Sequence, residues 1–360
     1  MERKILVINT GSTSTKIAIF HDGAEIFRDD VSHDPGQLQK LETIDDQVRF
    51  RKRVIGDSLQ KHRINLQGLS AIAARGGTFG SVKGGAYIVD KSLTEACRHP
   101  ETRHASNLSA LIAQEYADEY GCDAYIYDAV CTDEVEPAAR MTGIKGVERR
   151  VFSHTLNTRA VAIKEAEAMG KKYEECNFIV AHLGGGMSIN VHHHGKIVDL
   201  VSDDDGAMSP ERCGRINAIT MARICFSGKY RTENEMIRKL KGGSGLLDYL
   251  GVTDMRVIGK MIEDGDEYAS EIIQCMAYQA YQVSKDISSL AAVVEGRVDR
   301  IILTGGCAYS SYLTEPISRR VSFIAPVSIM PGSMEMEALA RGVERVLDGQ
   351  EKFRRYSKEH

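Results

Sequence analysis

The stretch "KILVINTGSTSTKIAIF", Lys4 to Phe20, sets two apolar, β-branched runs around a knot of small hydroxylated residues holding one glycine. It reads as strand, tight turn and strand, and "DGAEIF" then turns into a third strand. The pattern returns in "NFIVAHLGGGMSINVHHHGKIV" (177–198), again strand, glycine-rich turn, strand, turn glycine and strand. Asn9 aligns with His182 at an offset of 173 (182 − 9), and the same offset lays Gly11 on Gly184. A repeat near half the chain length predicts one α/β unit duplicated, not a short-period solenoid. Two such halves facing each other would form a cleft with the glycine turns at its mouth.

Outward from these hairpins, residues 37–64 carry helical spacing, and "LSAIAARGG" (69–77) reads as a buried strand running into a glycine corner. "SNLSALIAQEYADEYG" reads as a helix stopped by Gly121, followed by the strand "DAYIYDAV". Residues 266–296 read as a long helix leading to the strand and double glycine of "DRIILTGG", and "EMEALARGVERVL" reads as the last helix. The polar tail "EKFRRYSKEH" is expected to fray. With 360 residues the chain divides most naturally into two domains, 1–150 and 151–336.

Bulk composition narrows the function. A net charge of −4 argues against a general nucleic-acid or membrane-surface binder. The apolar run near Met1 is too short for a signal peptide or a membrane span. Eight cysteines without a CxxC pair read as reduced thiols, so a cytoplasmic location is expected.

Glycine turns after strands let backbone N–H groups approach phosphate oxygens. Three occur, at Gly11, at Gly184–Gly186 and at Gly305–Gly306, and none fits a P-loop or dinucleotide fingerprint. Ionisable residues cluster at element ends: Arg75 in "AARGG", Arg212 in "AMSPERCGR", His154 before a helix, His182 after a strand, Asp133 and Glu134 at a strand exit, and Glu335 and Glu337 by the last helix. Each alone is as well explained by a surface ion pair or a structural histidine. Together they match magnesium-assisted phosphoryl transfer, which needs cations on the moving group and carboxylates on the metal. His192–His194 cannot converge on one ion from a strand and reads as a solvated hairpin turn. Asp203–Asp205 lacks calcium-loop spacing and reads as a turn.

The motifs "INTGSTSTK", "AARGG", "DEVEPAAR", "FSHTLNTRAVA", "VAHLGGGMSINV", "DGAMSPERCGR", "LTGG" and "PGSMEMEALARG", in one order from Lys4 to about Leu347, resemble the short-chain acyl kinases related to acetate kinase, specifically the butyrate kinase branch, within the actin-like ATPase superfamily. The resemblance implies two domains with duplicated βββαβαβα cores and an interdomain nucleotide cleft. It also implies a C-terminal helix (337–360) rejoining the first domain, and a homodimer. It implies that Asn9, Gly11, Ser12 and Ser14 meet the transferring phosphate, and that Arg75 and Arg212 grip the acyl carboxylate and the phosphoryl group. His154 would donate to the transition state, while His182 with Gly184, Gly185 and Gly186 would hold nucleotide phosphates and Gly305 and Gly306 pass beneath the nucleotide. Asn9, Asp133 and Glu335 would organise Mg²⁺ beside ATP or ADP, with Glu337 the alternative to Glu335.

A carboxylic acid with a pKa of about 4.3 is ionised at neutral pH, so such a nucleophile needs no general base. The difficulty is bringing an anion up to a polyanion, and at ~4 Å two unit charges repel by about 4 kcal/mol in an effective dielectric of 20. Arginine forks suit the task of cancelling that repulsion. Against the acetate kinase pattern, Gly76, Gly77 and Ser153 stand where bulkier acyl-pocket walls are usual, and Thr158 replaces a histidine. A roomier pocket would favour butanoate over acetate, at about 0.8 kcal/mol per buried methylene. The alternatives are an acetate, propionate or branched-acid kinase and, from another class, an actin-like ATPase switch.

Overall fold

The structure, a computed structural model, describes residues 2–38, 40–100 and 104–357. The chain separates into two compact units, 1–134 with 334–360, and 135–333. The dividing points thus lie at 134/135 and 333/334, where the sequence reading set 150/151 and 336/337.

In the first unit β1 (Lys4–Thr10), β2 (Ser14–His21), β3 (Ala24–Ser32), β4 (Ala71–Arg75), β5 (Ala86–Ile88) and β6 (Asp123–Tyr127) form one sheet in the order β3-β2-β1-β4-β6-β5. β1 runs antiparallel to β2 and parallel to β4, and β4 runs parallel to β6. Leu6 and Ile8 join a core with Leu108, Leu111 and Ile112 of the helix Asn107–Tyr120, while Ile5 and Val7 on the alternate face are buried as well. Burial on both faces is why β1 reads as a continuous apolar run instead of an alternating one. The helix Glu335–Leu347 also packs on this sheet. Gly121 ends its helix in the left-handed region at φ +67°.

The tail does not fray up to Ser357. Arg354 pairs beside β5, its amide donating to Ala86 O at 2.8 Å and its carbonyl accepting from Ile88 N at 3.0 Å. Tyr356 donates its hydroxyl to Phe79 O at 3.0 Å and meets the Phe79 ring edge-on. Composition gave the wrong expectation here because polar side chains conceal backbone pairing and the aromatic contacts of Phe353 with Tyr125 and of Tyr356 with Phe79.

In the second unit β7 (Asn177–Leu183), β8 (Met187–His193), β9 (Lys196–Val201), β10 (Arg300–Gly305) and β11 (Val327–Pro331) form a sheet in the order β11-β10-β7-β8-β9. The β7–β8 and β8–β9 pairs are antiparallel, and the β7–β10 and β10–β11 pairs parallel. This is the β3-β2-β1-β4-β6 arrangement again. Shifted by 173, Lys4–Thr10 falls on Asn177–Leu183, the span of β7. The helix Glu267–Ala291 lies within the predicted 266–296. Among the described residues no helix is long and apolar enough to cross a membrane.

The triple histidine departs from its solvated reading. His192 is buried with Nδ1 2.6 Å from the Tyr173 hydroxyl, His193 bonds Asn177, and only His194 occupies the turn, at φ +46°. Ser202–Asp205 is the expected turn, closed by Asp205 N donating to Ser202 O at 3.1 Å.

Candidate functional site

In the first unit the parallel pairing of β1 with β4 brings Asn9 and Arg75 to the same end of the sheet. Asn9 Nδ2 donates to Glu335 Oε2 at 2.9 Å, and Arg75 Nη1 reaches that oxygen at 3.2 Å and Asn9 Oδ1 at 3.4 Å. Glu335 opens the helix Glu335–Leu347, whose N-terminal dipole favours a carboxylate there. Glu337 instead pairs with Arg341 one turn along the helix, so of the two candidates Glu335 joins the cluster. Asp133 lies after β6, its amide donating to Val82 O at 2.8 Å and its carboxylate accepting from Ser81 Oγ at 3.3 Å.

Asn9, Asp133 and Glu335 offer only oxygen ligands, the donor chemistry that magnesium takes. Among the described residues no three of His, Cys, Asp and Glu gather as a metal cage.

The turn between β1 and β2 turns its carbonyls inward. Ser14 O accepts from Gly11 N at 2.8 Å and Thr13 O from His33 N at 2.8 Å. Ser12 and Thr13 are exposed, and their amide N–H groups have no acceptor among the described residues. Such amides can meet an anion.

At Gly76 and Gly77 the expected spare room is absent. A Cβ on Gly76 would stand 2.5 Å from the Ala129 Cβ, and one on Gly77 would stand 1.7 Å from Asn107 Oδ1. These glycines admit neighbouring backbone and an Asn107 side chain that binds Thr78 N at 2.6 Å; they do not widen an acyl wall. His104 adjoins this cluster, and burial, reinforced by the Arg75 charge, pushes its pKa down to about 4.

In the second unit His182 is the penultimate residue of β7 and His154 holds the N-cap position of the helix Thr155–Ala168. Their rings stack with centroids 3.9 Å apart and planes 8° from parallel. His154 Nδ1 lies 2.9 Å from Ser188 Oγ. His182 Nδ1 lies 3.0 Å from Asn157 Nδ2, which also donates to Thr304 Oγ1 at 3.2 Å. Ser153 is no open wall: buried, it donates to Asn190 Oδ1 at 2.7 Å, and Asn190 Nδ2 donates to Thr158 Oγ1 at 2.8 Å. Thr158 thus sits inside this network and not at a vacated histidine contact. The sequence reading missed Asn157, Ser188, Asn190 and Thr304, whose polar types suggest surface.

Ser209 Oγ and Glu211 N both donate to Gly185 O, while the N–H groups of Gly185 and Gly186 have no acceptor among the described residues. Arg212 Nη2 reaches Asp203 Oδ2 at 3.5 Å, and its Nε has no partner among the described residues. Asp203 stays above the usual carboxylate range because burial, with the Asp204 charge added, outweighs Lys241 and Arg212. Gly305 adopts φ +92°, and a Cβ there would meet Leu183 O at 2.3 Å, so only glycine fits. A cavity of about 960 Å³ adjoins the turns, lined by Gly184, Gly185 and Gly306 together with Asp254, Arg256 and Tyr309. Its volume lies at the upper end of small-molecule sites.

Two sheets of matching strand order, each carrying a glycine turn beside charged strand-end residues, make a duplicated α/β fold, and the chain belongs to the acetokinase family, whose pattern matches residues 138–324. Among curated relatives it is 42% identical over 356 residues to a probable butyrate kinase of Enterococcus faecalis, covering 98% of this chain and 97% of that protein. It is 43% identical over 359 residues to butyrate kinase 2 of Clostridium acetobutylicum, covering 99% and 100%. The fold is shared with acetate kinase of Porphyromonas gingivalis (TM-score 0.77, 19% identity, 96% of this chain and 100% of that one). It is shared likewise with propionate kinase of Francisella tularensis (TM-score 0.73, 17% identity, 94% and 98%). The duplicated α/β architecture implied by the motifs is therefore the architecture of the chain.

Proposed function

We propose that this protein transfers the γ-phosphoryl group of ATP to butanoate, reversibly, giving butanoyl phosphate and ADP. The observation that carries the reading is identity above 40% to butyrate kinases along nearly the whole chain. Arg75 would hold the acyl carboxylate and Arg212 the phosphoryl group, each offsetting anionic repulsion. The ionised acid attacks in line without a base, and His154 would donate to the equatorial oxygens as charge builds on them. His182 and the amides of Gly185 and Gly186 would bind nucleotide phosphates, with Gly305 and Gly306 beneath the nucleotide, and Asn9, Gly11, Ser12 and Ser14 would receive the group in transfer. Mg²⁺, when bound through Asn9, Asp133 and Glu335, supplies neutralising charge to the phosphate oxygens. A homodimer in the cytoplasm completes the proposal.

The test is hydroxamate trapping of acyl phosphate from ATP with acetate, propionate, butyrate and isobutyrate. We expect the highest kcat/KM with butyrate, and abolition by a chelator with recovery on adding Mg²⁺. Preference for acetate would reassign the enzyme within its family, and phosphate release that needs no acid would make it an ATPase switch. Arg75→Ala and Arg212→Ala are each expected to lower kcat by about 10³-fold, and near-normal turnover in both would remove the assigned roles.

A further inference from the structure

We propose that Arg51, buried beneath the β1–β2 turn, is a positioning residue that holds this turn ready for a phosphate and places an unbalanced positive charge behind it.

Arg51 lies on the helix Ile44–Lys61 and is 1% exposed. Its Nη1 donates to Ser14 O at 3.2 Å and to Thr15 Oγ1 at 3.1 Å, and Nη2 reaches Ser12 O at 3.5 Å. The fork therefore gathers oxygens from both ends of the turn. With Thr13 O bonded to His33 N, all three carbonyls of Ser12, Thr13 and Ser14 are engaged, and the amides of Ser12 and Thr13 are left for an outside acceptor. Among the described residues Arg51 makes no ion pair, and its Nε has no partner. Of the ionisable groups around it, His33 shares Thr15 Oγ1 at 2.8 Å and is disfavoured as a cation by burial and by Arg51 itself, while Glu42 and His104 line a cavity with Arg51. Burial draws the Arg51 pKa down to about 10, leaving it charged at neutral pH.

A buried cation without a carboxylate is costly to keep. A bound phosphate would supply the missing counter-charge across the turn. Nothing in the helix pattern marks this residue, since an arginine among Arg49, Lys52 and Arg53 reads as one more surface charge.

The inference rests on the kinase reading, and the experiment separates the two. Wild-type turnover tests that reading. Arg51→Met, which removes fork and charge at similar length, tests this one through KM for each substrate. We expect KM for ATP and for butyryl phosphate to rise about tenfold, with KM for butyrate within about twofold of wild type and Arg51→Lys lying between. The same contrast is read without turnover by titrating ATP and butyrate separately against wild type and variants. Unchanged affinity for both phosphate-bearing substrates, or an equal loss for butyrate, overturns the proposal. If Arg51→Met does not fold, Arg51→Lys decides on the same criterion.

Discussion

His104 and Gly77 flank Arg75 and illustrate two residue-scale constraints. The His104 ring accepts from Ser106 N at 3.2 Å through Nδ1 and is held neutral, with its pKa near 4. An unfolded histidine titrates near 6.5, so between about pH 6.5 and 4 the unfolded chain binds the extra proton. The His104 contribution is fully present above pH 6.5 and is lost progressively as pH falls through that window. Urea midpoints of wild type and His104→Gln across it are expected to converge, with the variant losing less stability on acidification; parallel curves would exclude His104 as a source of acid sensitivity. At Gly77 an added methyl has no room, so Gly77→Ala is expected to cost about 2 kcal/mol of stability, measured by denaturant unfolding. A stable variant with an altered acyl preference would restore the pocket-wall role. Glycine's identity in a sequence states that space is short or φ unusual, without saying which, and this is why Gly76 and Gly77 were legible as special but not as tightly packed.

The helix Ile44–Lys61 begins with a capping box, in which Asp46 N donates to Thr43 Oγ1 at 3.0 Å and Thr43 N donates to Asp46 Oδ2 at 3.1 Å. Thr43→Ala is expected to lower stability by about 1 kcal/mol. Because Arg51 lies two turns further in, KM for ATP should not change, and a joint loss of stability and ATP affinity would show that the cap also governs the turn. Strands with apolar runs, and helices with a clear start and stop, were readable because their signals are local. The helix Thr155–Ala168 was readable as an element but not in its role. Asn157, Thr158 and Arg159 are all buried in it, and hydropathy places such residues outside. For two of them the reason lies in strand partners, since Asn157 bonds His182 on β7 and Thr304 on β10, and Thr158 accepts from Asn190 on β8.

For the whole molecule, the repeat offset carried most of the architecture, since it set equivalent strands in equivalent sheet positions. The docked tail did not follow from it. Glu351 accepts from the Tyr127 hydroxyl at 2.9 Å and from Arg345 Nε at 3.2 Å, which with Arg354 and Tyr356 fastens the last described residues to the first unit. Truncation after Gln350 is expected to lower the melting temperature by several degrees, about what loss of a few partly buried hydrogen bonds and two aromatic contacts, Tyr356 on Phe79 and Phe353 on Tyr125, implies. Calorimetry should place that loss in the first unit's transition, and an unchanged profile would make the tail dispensable.

The doubled hairpin has one more consequence. At equivalent strand ends, one copy ends in the carboxamide of Asn9 and the other in the imidazole of His182. If both descend from one ancestral segment, their division of labour arose while the hydrogen-bonded frame beneath was kept. Kinship between the halves then survives in the geometry of the backbone, and their specialisation in a few atoms at its tips.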